Sequence, residues 1–203
     1  MPAMAVATEE TSSRQRILDV GARLFLDHGY ADTTLRKIGA EVGMQAASIY
    51  YHFASKDELL TEILEHGITA ITAAFDEGVA GLEGEAAFAG AIDAHLTALF
   101  AEGPFTAAHV TIFRRTPSTV RRRIVPLRDA YEARWDRLLR DLQASEDMTP
   151  DLDVGLVRLT LLGSMNNSLE WFKPGGGHTV DDLAGVITRQ FWSGLAARTK
   201  DHA

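Results

Sequence analysis

The hydrophobic positions of residues 33–58 follow two helical registers separated by a glycine. Leu35, Ile38 and Val42 recur at i, i+3 and i+7, which is one face of a short helix. Gly43 follows at the point where the chain must leave that helix, because glycine adopts left-handed backbone torsions at low cost. The pattern therefore predicts a short helix that ends in a tight turn.

A second register begins just after that glycine. Its apolar positions fall at i, i+3, i+4 and i+7 and predict a core stripe of Ala46, Ile49, Tyr50 and Phe53. The opposite face is polar or polar-tipped and consists of Gln45, Ser48, Tyr51 and His52. Two short helices joined by a glycine turn predict a helix-turn-helix over about residues 34–53.

Capping residues mark where these helices begin. Thr33 and Thr34 precede the first register and are candidate N-caps, whose hydroxyls accept from free backbone N–H groups. The sequence Ser55-Lys-Asp-Glu58 matches the capping box S-x-x-E. A new helix is therefore predicted to begin just after Ser55.

Helical periodicity and turn residues continue along the whole chain and predict an all-α fold of about nine helices. Residues 1–12 are predicted to be a disordered arm, and residues 13–28 a first helix that buries Ile17, Gly21, Leu24 and Phe25 and stops at Gly29. The remaining helices are predicted at about residues 56–81, 86–100, 106–115, 118–144, 154–165 and 180–198. Residues 166–177 lie between the last two, and their Lys-Pro-Gly-Gly sequence is a helix stop and turn. The interpretation is a head over residues 13–72 and a body over residues 73–203.

The helix at residues 154–165 is apolar on nearly every side, with Arg158 its only charged residue. A helix of that kind is buried on more than one side. That is hard to arrange in a monomer of 203 residues, so the pattern predicts a second copy of the chain. Together with the last helix it is predicted to form half of a four-helix dimer interface.

Composition excludes several classes of protein. The chain has no cysteine, which rules out disulfides and Cys-ligated zinc. No signal-like N-terminus and no apolar run near the ~20 residues of a membrane span is visible, so we expect a soluble, cytoplasmic protein without a membrane partner. The seven histidines are scattered, and no H-E-x-x-H, G-x-S-x-G or phosphate loop occurs. We expect neither an enzyme nor a cofactor or metal.

The net charge of −8 is unevenly distributed along the chain. Residues 12–57 carry six Lys and Arg against five Asp and Glu, a net charge of +1, whereas residues 58–203 carry −7. The acidity therefore lies outside the predicted helix-turn-helix. A head near +1 has a weak electrostatic footprint for DNA, so specific binding is expected to need two heads.

The stretch TTLRKIGAEVGM…SIYYHFASKDELL resembles the DNA-binding signature of the TetR family of bacterial regulators, and the resemblance covers about residues 14–71. It implies a homodimeric transcriptional regulator that binds a palindromic double-stranded DNA operator and is released by a small-molecule effector. Two alternatives stay open. One is a ligand-binding or scaffold protein of the same fold without operator binding, and the other is an α-helical enzyme.

Within the head, chemistry suggests a role for each candidate DNA-binding residue. Gln45 can pair with adenine, Ser48 can approach several base edges, and the small Ala46 allows close approach or contact with a thymine methyl. The candidates for phosphate contacts are Thr34, Lys37, Tyr50, Tyr51, His52 and Lys56. For Tyr50 the alternative is a core position, and for His52 it is packing or capping. Arg14 and Arg16 are either backbone contacts or solvated side chains.

Arginines are concentrated near the start of the predicted helix at residues 118–144. Arg114, Arg115 and Arg121 to Arg123 either form a solvated face or line the mouth of a site for an anionic ligand. The two interpretations remain alternatives.

The stretch PDLDVGLVRL…SLEWFKPGGG resembles the TetR-family regulators of lipid and steroid breakdown that respond to acyl-CoA thioesters. In that group the residue before the tryptophan is often arginine, whereas here it is Glu170. The resemblance implies an acyl-CoA effector. Candidate ligand-binding residues are Phe113, Arg121, Arg128, Asn166, Asn167 and Trp171. The alternative for Trp171 is a place in the dimer interface.

Overall fold

The computed structural model describes residues 2–101 and 103–196, with side chains from Ser13 onward except that of Ala46. These ranges contain nine α-helices and one short 3₁₀ turn, and no strand, so the all-α prediction is confirmed. The α-helices are α1 Pro2–Asp32, α2 Leu35–Val42, α3 Ala46–His52, α4 Lys56–Gly78, α5 Gly84–Ala101, α6 Pro104–Thr111, α7 Ser118–Ala144, α8 Val154–Trp171 and α9 Val180–Leu195, and the 3₁₀ turn is Phe113–Arg115. No helix in the described ranges is long and apolar enough to cross a membrane.

The described chain forms two compact units that do not follow the order of the sequence. The first contains residues 2–68 and 103–127, and the second contains residues 69–101 and 128–196. Residues 103–127 thus pack with the helix-turn-helix, although the sequence pattern had placed them in the body. The division into domains at residue 72 stays a prediction.

The first unit is built on α1, which packs against α2 and α6. Its core combines fully buried residues from five helices: Ile17 and Phe25 of α1, Ile38 of α2, Ile49 of α3, Leu59 and Ile63 of α4, and Ala108 of α6. Gly67 of α4 lies so close to α6 that a Cβ on it would be 2.5 Å from the carbonyl oxygen of Phe105. Only glycine permits this approach of the two backbones.

The glycine turn between α2 and α3 has the geometry that the sequence predicts. Gly43 has a φ of 78° and a ψ of 27°, and its N–H donates to the carbonyl of Ala40. The N–H of Met44 donates to the carbonyl of Gly39 over 2.8 Å. The carbonyl groups at the end of α2 are therefore satisfied within the turn, which fixes the direction in which α3 starts.

In the second unit α5 packs against α9 and α8. Aromatic side chains fill its core: Phe88 contacts Trp192 with ring centroids 5.4 Å apart, and Phe75 meets Trp135 edge-on at 5.0 Å. Trp135 is completely buried. Because these rings come from helices far apart in sequence, their burial holds the unit together.

Several predicted boundaries were wrong. α1 begins at Pro2 rather than Ser13, in a stretch rich in alanine and glutamate, which favour helix. α8 continues to Trp171, six residues beyond its predicted end at Met165. On α7 the apolar periodicity predicts a stripe of Ile124, Leu127, Tyr131, Trp135, Leu138 and Leu142. The structure buries Ile124, Tyr131, Trp135 and Leu142, whereas Leu138 is partly buried and Leu127 is exposed. The prediction for residues 197 and 198 falls outside the described chain.

Candidate nucleic-acid interface

Helix α3 is held in place by two side chains that point into the first unit. Ile49 and Phe53 are completely buried. The guanidinium of Arg14 lies 4.5 Å from the centroid of the Phe53 ring and forms a bidentate ion pair with Glu62 of α4. This pair raises the pKa of Arg14 further, through its hydrogen bonds to Glu62. α3 is thus clamped between α1 and α4.

The N-terminal end of α3 is open. Gln45 is the N-cap residue, with φ −68° and ψ 148°, and its side chain makes no capping hydrogen bond. Its amide is exposed and keeps its donors and acceptor for another molecule. Ser48, one turn further along, is exposed as well. The side chain of Ala46 lies outside what the structure describes.

The C-terminal half of α3 presents two tyrosines outward. Tyr50 is 58% exposed and Tyr51 is 74% exposed. The prediction that Tyr50 belongs to the core stripe was wrong, because the buried side of α3 passes through Ile49 and Phe53 and leaves Tyr50 outside it. His52 is partly buried, and its ring meets that of Tyr51 edge-on at 5.3 Å.

The start of α2 is capped by Thr34. Its hydroxyl accepts from the N–H of Lys37 over 3.2 Å, while the Lys37 ammonium donates to the carbonyl of Asp32. Both side chains are exposed. Thr33, the other N-cap candidate, is instead completely buried, with its hydroxyl bonded to the carbonyls of Leu24 and Gly29. Of the two threonines, Thr34 is therefore the cap.

The junction between α3 and α4 is a modified capping box. The Ser55 hydroxyl accepts from the N–H of Glu58 over 3.1 Å, as predicted. The Glu58 carboxylate accepts from the N–H of Ala54 over 2.8 Å, one residue before the position that the motif predicts. The two bonds satisfy backbone N–H groups on both sides of the start of α4.

Lys56 turns inward in this structure. Its ammonium donates to the carbonyl of Tyr30 over 2.7 Å and lies 3.9 Å from the centroid of that tyrosine's ring. The Tyr30 hydroxyl bonds to Asp57, and Thr119 of α7 donates to the other carboxylate oxygen over 2.6 Å. Hydrogen bonds from Thr119 and Tyr30 lower the pKa of Asp57. Sequence reasoning missed this cluster, since its members are distant in sequence.

Arg16 is likewise occupied within the first unit. Its guanidinium donates to the carbonyl of Val42 at the end of α2 over 2.9 Å. A cation at the C-terminal end of a helix is electrostatically favourable. Arg14 and Arg16 therefore brace the helix-turn-helix, which neither of the two predicted alternatives had anticipated.

The six candidate ligand-binding residues are divided between the two units. Phe113 stacks with His109 in the first unit, where Arg121 is exposed. Arg128, Asn166, Asn167 and Trp171 belong to the second unit. A surface depression of about 400 Å³ in the second unit contains none of these residues and is lined by Leu82, Glu83, Gly84, Ala87, Leu138, Asp141, Leu142, Ser145 and Asp147.

Asn166 takes part in a buried polar network. Its side-chain oxygen lies 3.2 Å from Nε2 of His95, and Nδ1 of His95 lies 2.7 Å from the Tyr131 hydroxyl. Since the asparagine oxygen accepts, His95 carries its proton on Nε2 and Tyr131 donates to Nδ1. Burial lowers the pKa of His95 to about 4 and raises that of Tyr131. His95 is therefore neutral near pH 7.

Trp171 and Asn167 lie on the exposed side of α8. Trp171 is 59% exposed and meets Phe172 edge-on. The same side carries Leu156 and Leu159, which are 64% and 57% exposed. In the single chain this side of α8 is a row of exposed large apolar residues, and its burial by a second copy stays a prediction.

A polar helix end exposed behind a glycine turn, on a three-helix core, defines a helix-turn-helix DNA-binding head. Comparison with known proteins identifies the family. Residues 17–63 match the family described as bacterial regulatory proteins, tetR family, and residues 81–195 match the tetracyclin repressor-like C-terminal domain. The chain belongs to the TetR family and is a DNA-binding transcriptional regulator rather than an enzyme.

Similar proteins extend over nearly the whole chain. The HTH-type transcriptional repressor KstR2 of Rhodococcus jostii (strain RHA1) is 26% identical over 190 residues, 93% of each chain. KstR2 of Mycolicibacterium smegmatis is 28% identical over 183 residues, 83% of each chain. The solved structure of the ketosteroid transcriptional regulator KstR2 of Mycobacterium tuberculosis matches with a TM-score of 0.79 at 24% identity, over 91% of this chain and 95% of that one.

The buried His95 predicts acid sensitivity of the second unit. Its pKa is about 4 when folded and about 6.5 when unfolded, so the unfolded chain takes up a proton first as pH falls. The stability that neutral His95 contributes is complete above pH 6.5 and is lost toward pH 4. Replacing His95 with Gln should reduce the fall in unfolding free energy between pH 7 and pH 5 by about 2 kcal/mol.

Urea unfolding of the parent and of His95→Gln at pH 7 and pH 5 measures this change in unfolding free energy. Groups that titrate in the same way in both proteins cancel in the comparison. His178→Gln is the matched control, because the His178 side chain is 80% exposed. An identical pH dependence in the parent and in His95→Gln would show that folding does not lower the pKa of His95.

Proposed function

We propose that this protein is a ligand-released repressor that binds a near-palindromic operator as a homodimer, with α3 in the major groove. The observation that carries the proposal is the open N-terminal end of α3, where Gln45 is exposed and makes no capping bond. A recognition helix presents that end to base edges. The repressor assignment is supported by the KstR2 relatives, which are named transcriptional repressors.

Within this proposal Gln45 and Ser48 contact base edges, and Ala46 lies against a thymine methyl. Thr34, Lys37, Tyr50, Tyr51, His52 and Lys56 contact phosphates. The exposure of Thr34, Lys37 and both tyrosines supports this division. The Lys56 ammonium donates one of its three N–H groups to the Tyr30 carbonyl, which leaves two for a phosphate.

The homodimer is supported by the exposed apolar residues of the second unit. Leu156, Leu159 and Trp171 follow one side of α8, and Val186 on α9 is 41% exposed. Large apolar side chains gathered in this way mark an interaction surface. A second copy covers them through the same surface, as a two-fold dimer requires.

The proposed effector is an acyl-CoA thioester. Two solved structures of the same fold are those of a ketosteroid transcriptional regulator and of a fatty acid degradation regulator, the latter with a TM-score of 0.75. The half-buried Arg128, whose pKa burial lowers, is a suitable partner for an anionic group. Release of DNA requires that the effector binds the DNA-incompetent state better than the DNA-bound state.

Substituting Gln45 with Ala should relax base preference at one position of each half-site. A bidentate glutamine–adenine pair discriminates by about 1–3 kcal/mol, and this preference disappears with the amide. Selection from a randomised duplex library, followed by titration of single-base variants, measures it. Gln15→Ala is the control, because Gln15 is an exposed glutamine on α1 bonded to Asp19. Equal weakening on every sequence would make Gln45 a backbone contact instead.

The dimer should protect two half-sites whose centres are roughly 34–36 Å apart or a multiple of that distance. Placing lysines at Leu156 and Leu159 should give a monomer in sedimentation experiments and abolish the paired footprint, because charges replace the covered apolar surface. Leu82→Lys is the control, since Leu82 is 44% exposed in the turn between α4 and α5. A dimeric double-lysine variant would place the interface elsewhere.

An acyl-CoA should raise the melting temperature of the protein and weaken its binding to the operator. Stabilisation grows with occupancy of the native state and is about 2.7 kcal/mol at a hundredfold excess over Kd. A thermal-shift screen of acyl-CoAs, free acids and steroids compares the classes directly. Trp171→Ala should lose the shift if Trp171 contacts the ligand and keep it if Trp171 lies in the dimer interface. A shift with free acids or steroids alone contradicts the thioester assignment.

A further inference from the structure

Residues 104–127 carry five arginines and no acidic residue or lysine. Arg114 and Arg115 belong to the 3₁₀ turn, and Arg121, Arg122 and Arg123 lie in the first two turns of α7. All five are exposed. We call them the arginine cluster. It belongs to the same compact unit as the helix-turn-helix.

Four members of the cluster have no partner within the described chain. Arg123 lies 3.7 Å from Glu65 of α4, whereas Arg114, Arg115, Arg121 and Arg122 form no ion pair or side-chain hydrogen bond there. Surface arginines usually pair with acidic neighbours at helical spacing. Here that pairing is missing at four of five positions.

The acidic groups that could neutralise the cluster are already engaged. On the first three turns of α4, Asp57 binds Thr119 and Tyr30, and Glu58 caps the helix start. Glu62 is paired with Arg14, and Glu65 lies beside Arg123. The positive charge of the other four arginines therefore remains uncompensated on this side of the first unit.

The position of the cluster is fixed relative to the recognition helix. Thr119 on α7 donates to Asp57, the second residue of α4, over 2.6 Å. α4 begins four residues after the last residue of α3. The start of α7, with Arg121 and Arg122 in its next turn, therefore lies beside the junction of α3 and α4, where a DNA backbone passes a docked recognition helix.

Local electrostatics argue against a purely structural role for these arginines. The N-terminal end of a helix carries partial positive charge within its first turn, so a cation at Arg121, the fourth residue of α7, is unfavourable. Further along α7, residues 128–144 contain four arginines and four acidic residues, which is the balance expected of a solvated face. The imbalance is confined to the end of α7 that lies beside the start of α4.

We propose that Arg114, Arg115, Arg121 and Arg122 form a second DNA-binding surface, outside the helix-turn-helix, that contacts the phosphates of the duplex flanking each half-site. The proposal rests on the proposed docking of α3. These contacts would position the protein on DNA without reading its sequence, because the guanidinium groups bind phosphate oxygens and not base edges. It supplies the positive charge that residues 12–57, at +1, lack.

The test measures how binding of the full-length protein to DNA depends on salt. The probe is a fluorescently labelled, mixed-sequence DNA duplex of roughly three helical turns. Its fluorescence anisotropy reports protein binding and is measured across a range of salt concentrations. The variant is Arg121→Gln with Arg122→Gln. Its matched control is Arg137→Gln with Arg140→Gln, which removes the same charge from exposed positions of the same helix in the second unit.

We expect the slope of log Kobs against log salt to fall by roughly 0.9 for each phosphate that the protein no longer neutralises, and so by up to about 2 per protomer in the cluster variant. The control should keep the parent slope. Arg121→Lys with Arg122→Lys should also keep most of it, because the charge remains. If the salt slope changed equally in the variant and the control, the effect would come from the net charge of the protein and not from the arginine cluster. That result would overturn the proposal.

The alternative ligand for the arginine cluster is an anionic effector, and coenzyme A is the probe for that alternative. If the cluster variant loses coenzyme A binding in calorimetry while its salt slope stays at the parent value, the arginines serve the effector and the proposal is wrong. Gln45→Ala separates this result from a failure of the proposed function. That variant should alter base preference and leave the slope on mixed-sequence DNA unchanged, whatever the arginines do.

Discussion

The burial of Ile49 and Phe53 is the contact on which the rest of the structure depends. α3 has only seven residues, and helices of that length are not stable alone in water. Helix α3 is held in place by three features. These are the two completely buried side chains, the Arg14 guanidinium over the Phe53 ring, and the capped start of α4. Rigidity at this point is what allows Gln45 to be presented in one geometry, and base discrimination depends on such geometry.

Charge is divided between the two units in a way that the total of −8 conceals. The segments of the first unit, residues 1–68 and 102–127, contain eleven Lys and Arg and eleven Asp and Glu, so they are neutral. Residues 69–101 and 128–203 carry the whole negative charge. An acidic second unit repels DNA, so the surface that a duplex can approach is restricted to the first unit. Within that neutral unit, the acidic residues at the start of α4 are already paired, whereas four members of the arginine cluster are not. Among the described residues of α7 and the 3₁₀ turn, the cluster is the only local excess of positive charge.

Features that depend on near neighbours in sequence were predictable. The register of α2, the turn at Gly43 and the bounds of α7 all follow from periodicity and turn chemistry, and the structure has them where they were expected. Features that depend on distant partners were not. Nothing near Lys56 indicates the ring of Tyr30, and nothing near Asn166 indicates His95 seventy-one residues away. The exposure of Tyr50 was not predicted for the same reason, because it depends on how α3 packs against helices that are distant in sequence.

Helices α4 and α7 belong to both units, since the division falls after Ile68 in the first and after Leu127 in the second. Pro126 lies within α7, one residue before that division, and its missing N–H removes the helical hydrogen bond to the carbonyl of Arg122. The helix is thus weakest where it passes from one unit to the other. Its first turns are bonded to Asp57 at the start of α4, next to the recognition helix. Thr119 and Asp57 thus tie the first turns of α7 to the helix that follows α3.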